Sequence, residues 1–483
     1  MAAPEFNYTD SDATGLAQAI KDKVLSPREA VDEAFAAIAR VNPQLNAVIC
    51  EMRDAADEQL QQLAAQAPQD QGALFGVPTL LKDDCPSYAG APMSYGCRAA
   101  DGNVSERDHE LVTRYRAAGL VIIGKTNLPE FSCNIATEPS LHGATLNPWD
   151  VSKSIGGSSG GAAAAVAARV VPVAYGNDGA GSIRIPAACS GLFGLRPSRG
   201  RVPCGPVSTE NWGGLVSHHV LTRSVRDSAL MLDLTDAPEQ GALYSAPAKT
   251  DTFMQAVNQA PRKLRIGLWQ KTGLETPVEQ AVLEALHKTA EICAALGHEI
   301  VEIMPDYDAQ ALSGAFTRLV ATYTAMEVDD LARDFDKPIN SDFFEPSNLG
   351  LAEHGRSLSG LDILRARNQV NSTARSFGRM FSTVDVVLSP VLPCLPFDKG
   401  TLNVRSNDWK HFARQFMELT MFTHPVNAAG TPAMSVPLLQ TAENTPLGMQ
   451  FIAANGKEET LLTLAAQLER AYPWDSRRPA ICA

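Results

Sequence analysis

Two serines in glycine-rich turns, and one lysine at the end of an apolar run, are the residues of this chain best suited to chemistry. The second turn reads Asn177-Asp178-Gly179-Ala180-Gly181-Ser182-Ile183-Arg184. Small residues at 179–181 let backbone N–H groups come close to a substrate, as an oxyanion hole requires. Ser182 directly follows those donors, so a carbonyl held there would lie over its hydroxyl. Upstream, Val77-Pro78-Thr79-Leu80-Leu81-Lys82 puts a lone lysine at the end of an apolar strand. Burial lowers a lysine's pKa and lets it serve as a neutral base. Asp83 alternates to the other face of that strand. Asp84 shares the face of Lys82 if the strand continues, and would then oppose the lowered pKa.

The first serine turn, Gly156-Gly157-Ser158-Ser159-Gly160-Gly161, fits several patterns. It matches G-x-S-x-G, the nucleophile elbow of α/β-hydrolases, and an esterase using Ser158 is one alternative. That elbow needs a strand immediately before it, and Trp149-Asp150-Val151-Ser152-Lys153-Ser154 is a poor one. A flexible linker is a second reading of Gly/Ser runs. Against it, the small-residue helix over 162–168 follows at once, and a loop entering a helix N-terminus can hold an anion or oxyanion. Ser159 reads as a neighbour bonded within the turn. A different alternative, nucleotide binding, would use Gly119-Leu120-Val121-Ile122-Ile123-Gly124-Lys125-Thr126, which satisfies G-x-x-x-x-G-K-[ST]. A phosphate loop needs free N–H groups facing the anion. Four apolar residues in its middle belong in a buried strand instead, and Pro129 soon follows.

The elements that must position these residues alternate between short apolar runs and amphipathic helices. Two helices are expected over 10–40, the second opened by the capping box Ser26-Pro27-Arg28-Glu29. A strand over 45–49 and a helix over 55–67 follow. Strands are expected at 77–81, 120–123 and 170–174, with a helix over 109–118. A βαβ unit reads clearly from 263–269, 278–296 and 300–303. Strands at 385–388, 433–436 and 449–452 precede a closing helix over 458–472. Such alternation predicts an α/β layer fold with a largely buried sheet. Residues 1–70 form an N-terminal helical part. Residues 237–252 are the loosest stretch, and 310–380 is helical and could be a lid or pocket wall. One large domain over 1–483 with that embellishment is expected.

Composition narrows the class. Of 483 residues, 45% are hydrophobic and 20% charged, so the chain is globular. Net charge is −13, which disfavours bulk nucleic-acid binding. No apolar run is long enough for a membrane helix. The first twelve residues carry neither the basic nor the apolar stretch of a secretory signal. Nine scattered cysteines, none in CxxC spacing, read as free thiols in a reducing cytoplasm rather than as a metal site. No metal and no cofactor is expected, and a homodimer is compatible with the sequence.

These residues together resemble the amidase signature family. The matching segments are Gly76-Val77-Pro78 with Lys82-Asp83, Gly124-Lys125-Thr126-Asn127 with Glu130-Phe131, Asn147-Pro148-Trp149, residues 156–161, 181–187 and 191–196, residues 427–433, and Gly448-Met449-Gln450. The likeness covers almost the whole chain. It implies a large mixed central sheet covered by helices on both faces, and cofactor-free hydrolysis of amide bonds, sometimes esters or carbamates, in small-molecule substrates. By position it makes Ser182 the nucleophile, Ser158 the bridging serine (usually after a cis peptide) and Lys82 the base. The backbone N–H groups of Gly179, Ala180, Gly181 and Ser182 would form the oxyanion hole.

Most members read Thr-Asp-x-Gly-Gly-Ser where this chain has Asn177 and Ala180, a departure bearing on substrate preference. That variant, with Pro473-Trp474 and Arg477-Arg478-Pro479, is similar to the branch hydrolysing cyclic 6-aminohexanoate dimers. Aryl acylamidases and urethane-cleaving members look similar. Cys133 and Asn134 are candidate substrate contacts. Asp178 is another, although Asp178 and Arg184 together read first as charge-assisted support for the turn. The apolar helical face at 316–326 reads as core or pocket wall.

Overall fold

Short runs of apolar residues between helices assemble into one mixed sheet in the computed structural model, which describes residues 6–206 and 210–483. The first five residues of the expected N-terminal helical part, which also begin the stretch read for a signal, lie outside the described residues. In chain order the strands are β1 (Val48–Glu51), β2 (Pro78–Lys82), β3 (Val121–Thr126), β4 (Val173–Asp178), β5 (Phe193–Arg196) and β6 (Ser217–Thr222). They continue with β7 (Arg265–Leu268), β8 (Glu299–Glu302), β9 (Val386–Pro390), β10 (Ala433–Gln440) and β11 (Pro446–Ala453). Their order across the sheet is β1-β3-β2-β4-β6-β5-β10-β11-β9-β7-β8. The trio β3, β2, β4 is parallel, as is β9, β7, β8. The other neighbours are antiparallel. Every residue of β2, β3, β4, β6 and β9 is buried. Side chains alternate between faces along a strand, so helices and loops must cover both. This is the α/β fold with a large mixed sheet.

Local chemistry sets the helix ends. The helix Pro27–Leu45 begins with the full capping box: Ser26 Oγ accepts from Glu29 N at 3.2 Å, and Ser26 N donates to Glu29 Oε2 at 2.7 Å. The βαβ unit forms as expected, with the helix Gln280–Ala295 between parallel β7 and β8.

Three local expectations need correction. Leu45 and Asn46 end a helix rather than start a strand, since Asn46 adopts the left-handed conformation that terminates it. The strand expected over 170–174 runs on to Asp178, so Asn177 and Asp178 belong to β4 and not to the turn. Two central strands, β5 and β6, carry no legible period. In β6, His218 and His219 are fully buried and still find partners in Tyr175 and Ser228.

The 310–380 segment folds into the helices Ala309–Asp334, Pro346–Ser357 and Gly360–Met380. Leu312, Phe316 and Leu319 share a buried cluster with Phe131, Cys133, Ala180 and Trp212. Each buried Phe or Leu contributes about 1.5–3 kcal/mol of transfer free energy, so several together anchor these helices to the loops after β3 and β4. No helix among the described residues is long and apolar enough to cross a membrane.

Candidate active site

Parallel β2 and β4 are neighbours, with Leu80 opposite Ala174. Their carboxyl ends therefore lie side by side, the place where open α/β sheets hold ligands. β2 ends on Lys82 and β4 carries Asn177. Lys82 is wholly buried. Its Nζ lies 2.6 Å from Ser158 Oγ, 2.7 Å from Asn177 Oδ1 and 3.3 Å from Asp84 Oδ2. Burial pushes the Lys82 pKa below its ordinary value, while the Asp84 charge pulls it back up. Asp84 Oδ2 also accepts from Ser132 Oγ at 2.6 Å and Asn177 Nδ2 at 2.9 Å, and its Oδ1 accepts from Cys85 N at 2.5 Å. Burial alone would raise the Asp84 carboxyl, but Lys82 and these donors hold it below the usual carboxylate value.

Ser158 follows a cis peptide bond to Gly157 and directly precedes the helix Gly160–Ala167. The residues before it form isolated bridges and no strand, so the elbow geometry of an α/β-hydrolase is absent there. Ser159 N donates to Ser182 O, and Ser159 Oγ donates to Asn177 O, both at 3.3 Å. Ser159 thus ties the first turn to the second. The Gly119–Thr126 pattern is also accounted for. Gly124, Lys125 and Thr126 lie in β3, which pairs on both edges, and buried Lys125 donates to Pro86 O at 3.4 Å.

The Ser182 turn is built around Asp178. Its Oδ1 accepts from Gly181 N at 2.8 Å, and its Oδ2 from Ile183 N and Arg184 N at 3.2 and 3.3 Å. Arg184 adds two more bonds, Nε to Oδ2 at 2.9 Å and Nη2 to Oδ1 at 2.8 Å. Burial would raise the Asp178 carboxyl, yet Arg184 holds it far below the usual range. Asn427 Nδ2 donates to the same carboxylate at 2.9 Å, and Gln450 Oε1 accepts from Arg184 at 2.5 Å. With both oxygens so engaged, Asp178 shapes the turn, the support role also expected of it with Arg184. Gly181 has φ of +126°, and a Cβ there would stand 2.7 Å from Ile185 and 2.8 Å from Thr423 Oγ1. Only glycine fits.

The four N–H groups expected to form an oxyanion hole differ in their partners. Gly181 N–H is taken by Asp178. The N–H groups of Gly179, Ala180 and Ser182 have no partner among the described residues. Ser182 is 5% exposed, whereas Lys82 and Ser158 are at 0%. Its hydroxyl makes no hydrogen bond among the described residues, and the structure brings no bond between Ser158 Oγ and Ser182 Oγ.

Of the other candidate contacts, Asn134 holds its own loop, accepting from Ala136 N at 3.1 Å and donating to Leu402 O at 3.4 Å. Cys133 is buried 3.5 Å from Thr324 Oγ1, and burial raises its thiol pKa far above the ordinary value. The groups around Lys82 and its neighbour Asp84 are only partly legible in sequence. Asn177 was read as turn, and Ser132 carried no signal. Among the described residues no group of three or more His, Cys, Asp or Glu side chains could hold a metal ion.

The arrangement buries a lysine against a serine, and beside it sets a second serine under unpaired N–H groups. Such a site can activate a hydroxyl and stabilise an oxyanion. Comparison with known proteins agrees in kind. The sequence model of the family described as Amidase matches residues 29–462. A 6-aminohexanoate-cyclic-dimer hydrolase from Paenarthrobacter ureafaciens is 32% identical over 482 residues, covering 97% of this chain and 96% of that protein. A solved structure of 6-aminohexanoate cyclic dimer hydrolase superposes with a TM-score of 0.92 at 31% identity, covering 98% of this chain and 99% of the other. A bacterial aryl acylamidase of the amidase signature family has a TM-score of 0.88 at 28% identity, covering 97% and 99%.

Proposed function

This chain belongs to the amidase (amidase signature) family and is a hydrolase of non-peptide amide C–N bonds, and on that premise we propose that it works through a Lys82–Ser158–Ser182 relay. Neutral Lys82 takes a proton from Ser158, which takes one from Ser182. Ser182 Oγ then bonds to the carbonyl carbon, and the oxyanion accepts from Gly179, Ala180 and Ser182 N–H. The proton returns through Ser158 to the leaving nitrogen as the C–N bond breaks. Water then hydrolyses the Ser182 ester by the same route in reverse. An amide needs this return step because its amine is a poor leaving group.

The observation that carries the reading is the 2.6 Å approach of Lys82 Nζ to Ser158 Oγ, with both side chains fully buried. Burial favours the neutral form of that lysine. We place the preferred substrates among aminohexanoate-type amides and aryl amides, because the relatives named above act on such compounds, and carbamates belong in the same test. Initial rates on matched anilides, linear and cyclic aminohexanoate amides, esters and carbamates decide among them. Turnover of esters alone would contradict the amide reading.

A further inference from the structure

Glu327 lies on the long helix Ala309–Asp334 that walls the site. Its Oε2 is buried and makes no hydrogen bond among the described residues. Leaving a buried acceptor unpaired costs about 1–3 kcal/mol, and more if it is charged. Other acids near the site are engaged: Asp84 by Lys82, Ser132 and Asn177, and Asp178 by Arg184. Thr324 stands one helical turn before Glu327, on the same face. Thr324 Oγ1 is 3.5 Å from Cys133 Sγ, and Cys133 follows Ser132, which bonds Asp84 beside Lys82. Burial, then the Asp84 charge, raises the Glu327 carboxyl to about 8, and the Glu327 charge in turn bears on Cys133 and Tyr95. Thr324 and Glu327 therefore share the helix face that packs on Cys133 and the loop carrying Ser132, beside Asp84. The Glu327 Oε2 atom is left there as an acceptor without a donor among the described residues.

We propose that Glu327 is a specificity-determining residue that accepts a hydrogen bond from an N–H group of the substrate, an ammonium or a second amide, remote from the scissile carbonyl. The pairing completes the orphaned oxygen only when such a substrate is bound. A hydrocarbon at that place leaves the acceptor buried and unpaired, which is how a polar site rejects an isostere. The kinetic side of this proposal rests on the amide-hydrolase reading above; the binding side does not.

The test compares kcat/KM for three 4-nitroanilides, those of 6-aminohexanoic, 6-acetamidohexanoic and hexanoic acids. Wild-type enzyme is expected to favour both N–H-bearing substrates over the hexanoyl one by about tenfold or more, the scale of one buried hydrogen bond. Glu327→Leu should erase that preference, and Glu327→Gln should retain part of it. Equal wild-type rates on all three, or a uniform loss in both variants, would overturn the proposal. If no anilide turns over, the amidase reading fails and titration calorimetry decides this one. Hexylammonium should then bind the wild type more tightly than 1-hexanol, and Glu327→Gln should narrow the gap. Equal binding of the two overturns it.

Discussion

Lys82 and Asp84 meet just past the end of one strand, Nζ 3.3 Å from Oδ2. The base candidate is therefore held between opposing influences. Burial disfavours its charged form, and the carboxylate favours it. Removing the Asp84 charge tips the balance toward neutral lysine. Asp84→Asn should shift the alkaline limb of kcat/KM downward by about one pH unit or more. Profiles of both enzymes on one anilide between pH 5 and 10 check this. An unmoved limb would show that the titrating group is not Lys82.

Lys82→Ala should separate amides from activated esters. An amide requires a proton on its leaving nitrogen, so its kcat/KM should fall by about 10²–10⁴-fold. A 4-nitrophenyl ester leaves unaided and should lose much less. The measurement is the pair of rates in the two enzymes; equal losses would remove Lys82 from the acid step.

Asp178 and Arg184 are both fully buried, so breaking their pair strands a guanidinium without its anion. Asp178→Asn should cost about 3–5 kcal/mol of stability, read from the urea midpoint. The pH sign follows from the depressed Asp178 pKa. Its contribution is complete above the ordinary carboxylate value of about 4 and is lost as pH falls toward the lower folded value. The wild-type and variant urea curves should therefore converge in acid.

Gly181→Ala should fold less stably and lose activity together. The methyl meets Thr423 Oγ1 and Ile185, and the backbone at φ +126° disfavours any side chain. Thr423 Oγ1 also accepts no slack, since it already donates to Ala180 O at 2.6 Å. A kcat loss without a comparable KM rise would mark a displaced oxyanion turn.

What was readable in sequence follows from how local the cause is. Ser26 and Glu29 cap a helix with side chains three residues apart, and their pattern is visible without any tertiary contact. Lys82 at the end of an apolar run implies a buried amine by alternation alone. Asn177 was different. Its role depends on β4 continuing two residues beyond its apolar part and on the parallel register with β2, and neither leaves a period in the sequence. The donation of Gly181 N–H to Asp178 likewise arises from the folded turn. The strands β5 and β6 carry no period because a central strand flanked on both sides can hold glycine, His218, which bonds Tyr175, and Arg196, which bonds the carbonyls of Pro197, Thr431 and Leu215. The amidase family was legible because its signature spans many segments at once.

The most direct test of the relay is the site of covalent attachment. Wild-type enzyme is treated with a fluorophosphonate, digested, and mapped by tandem mass spectrometry, alongside Ser158→Ala and Ser182→Ala. The phosphonyl group should sit on Ser182 in the wild type, form slowly on Ser182 in Ser158→Ala, and be absent in Ser182→Ala. Attachment to Ser158 in the wild type, with Ser182→Ala still turning over amides, would contradict the account.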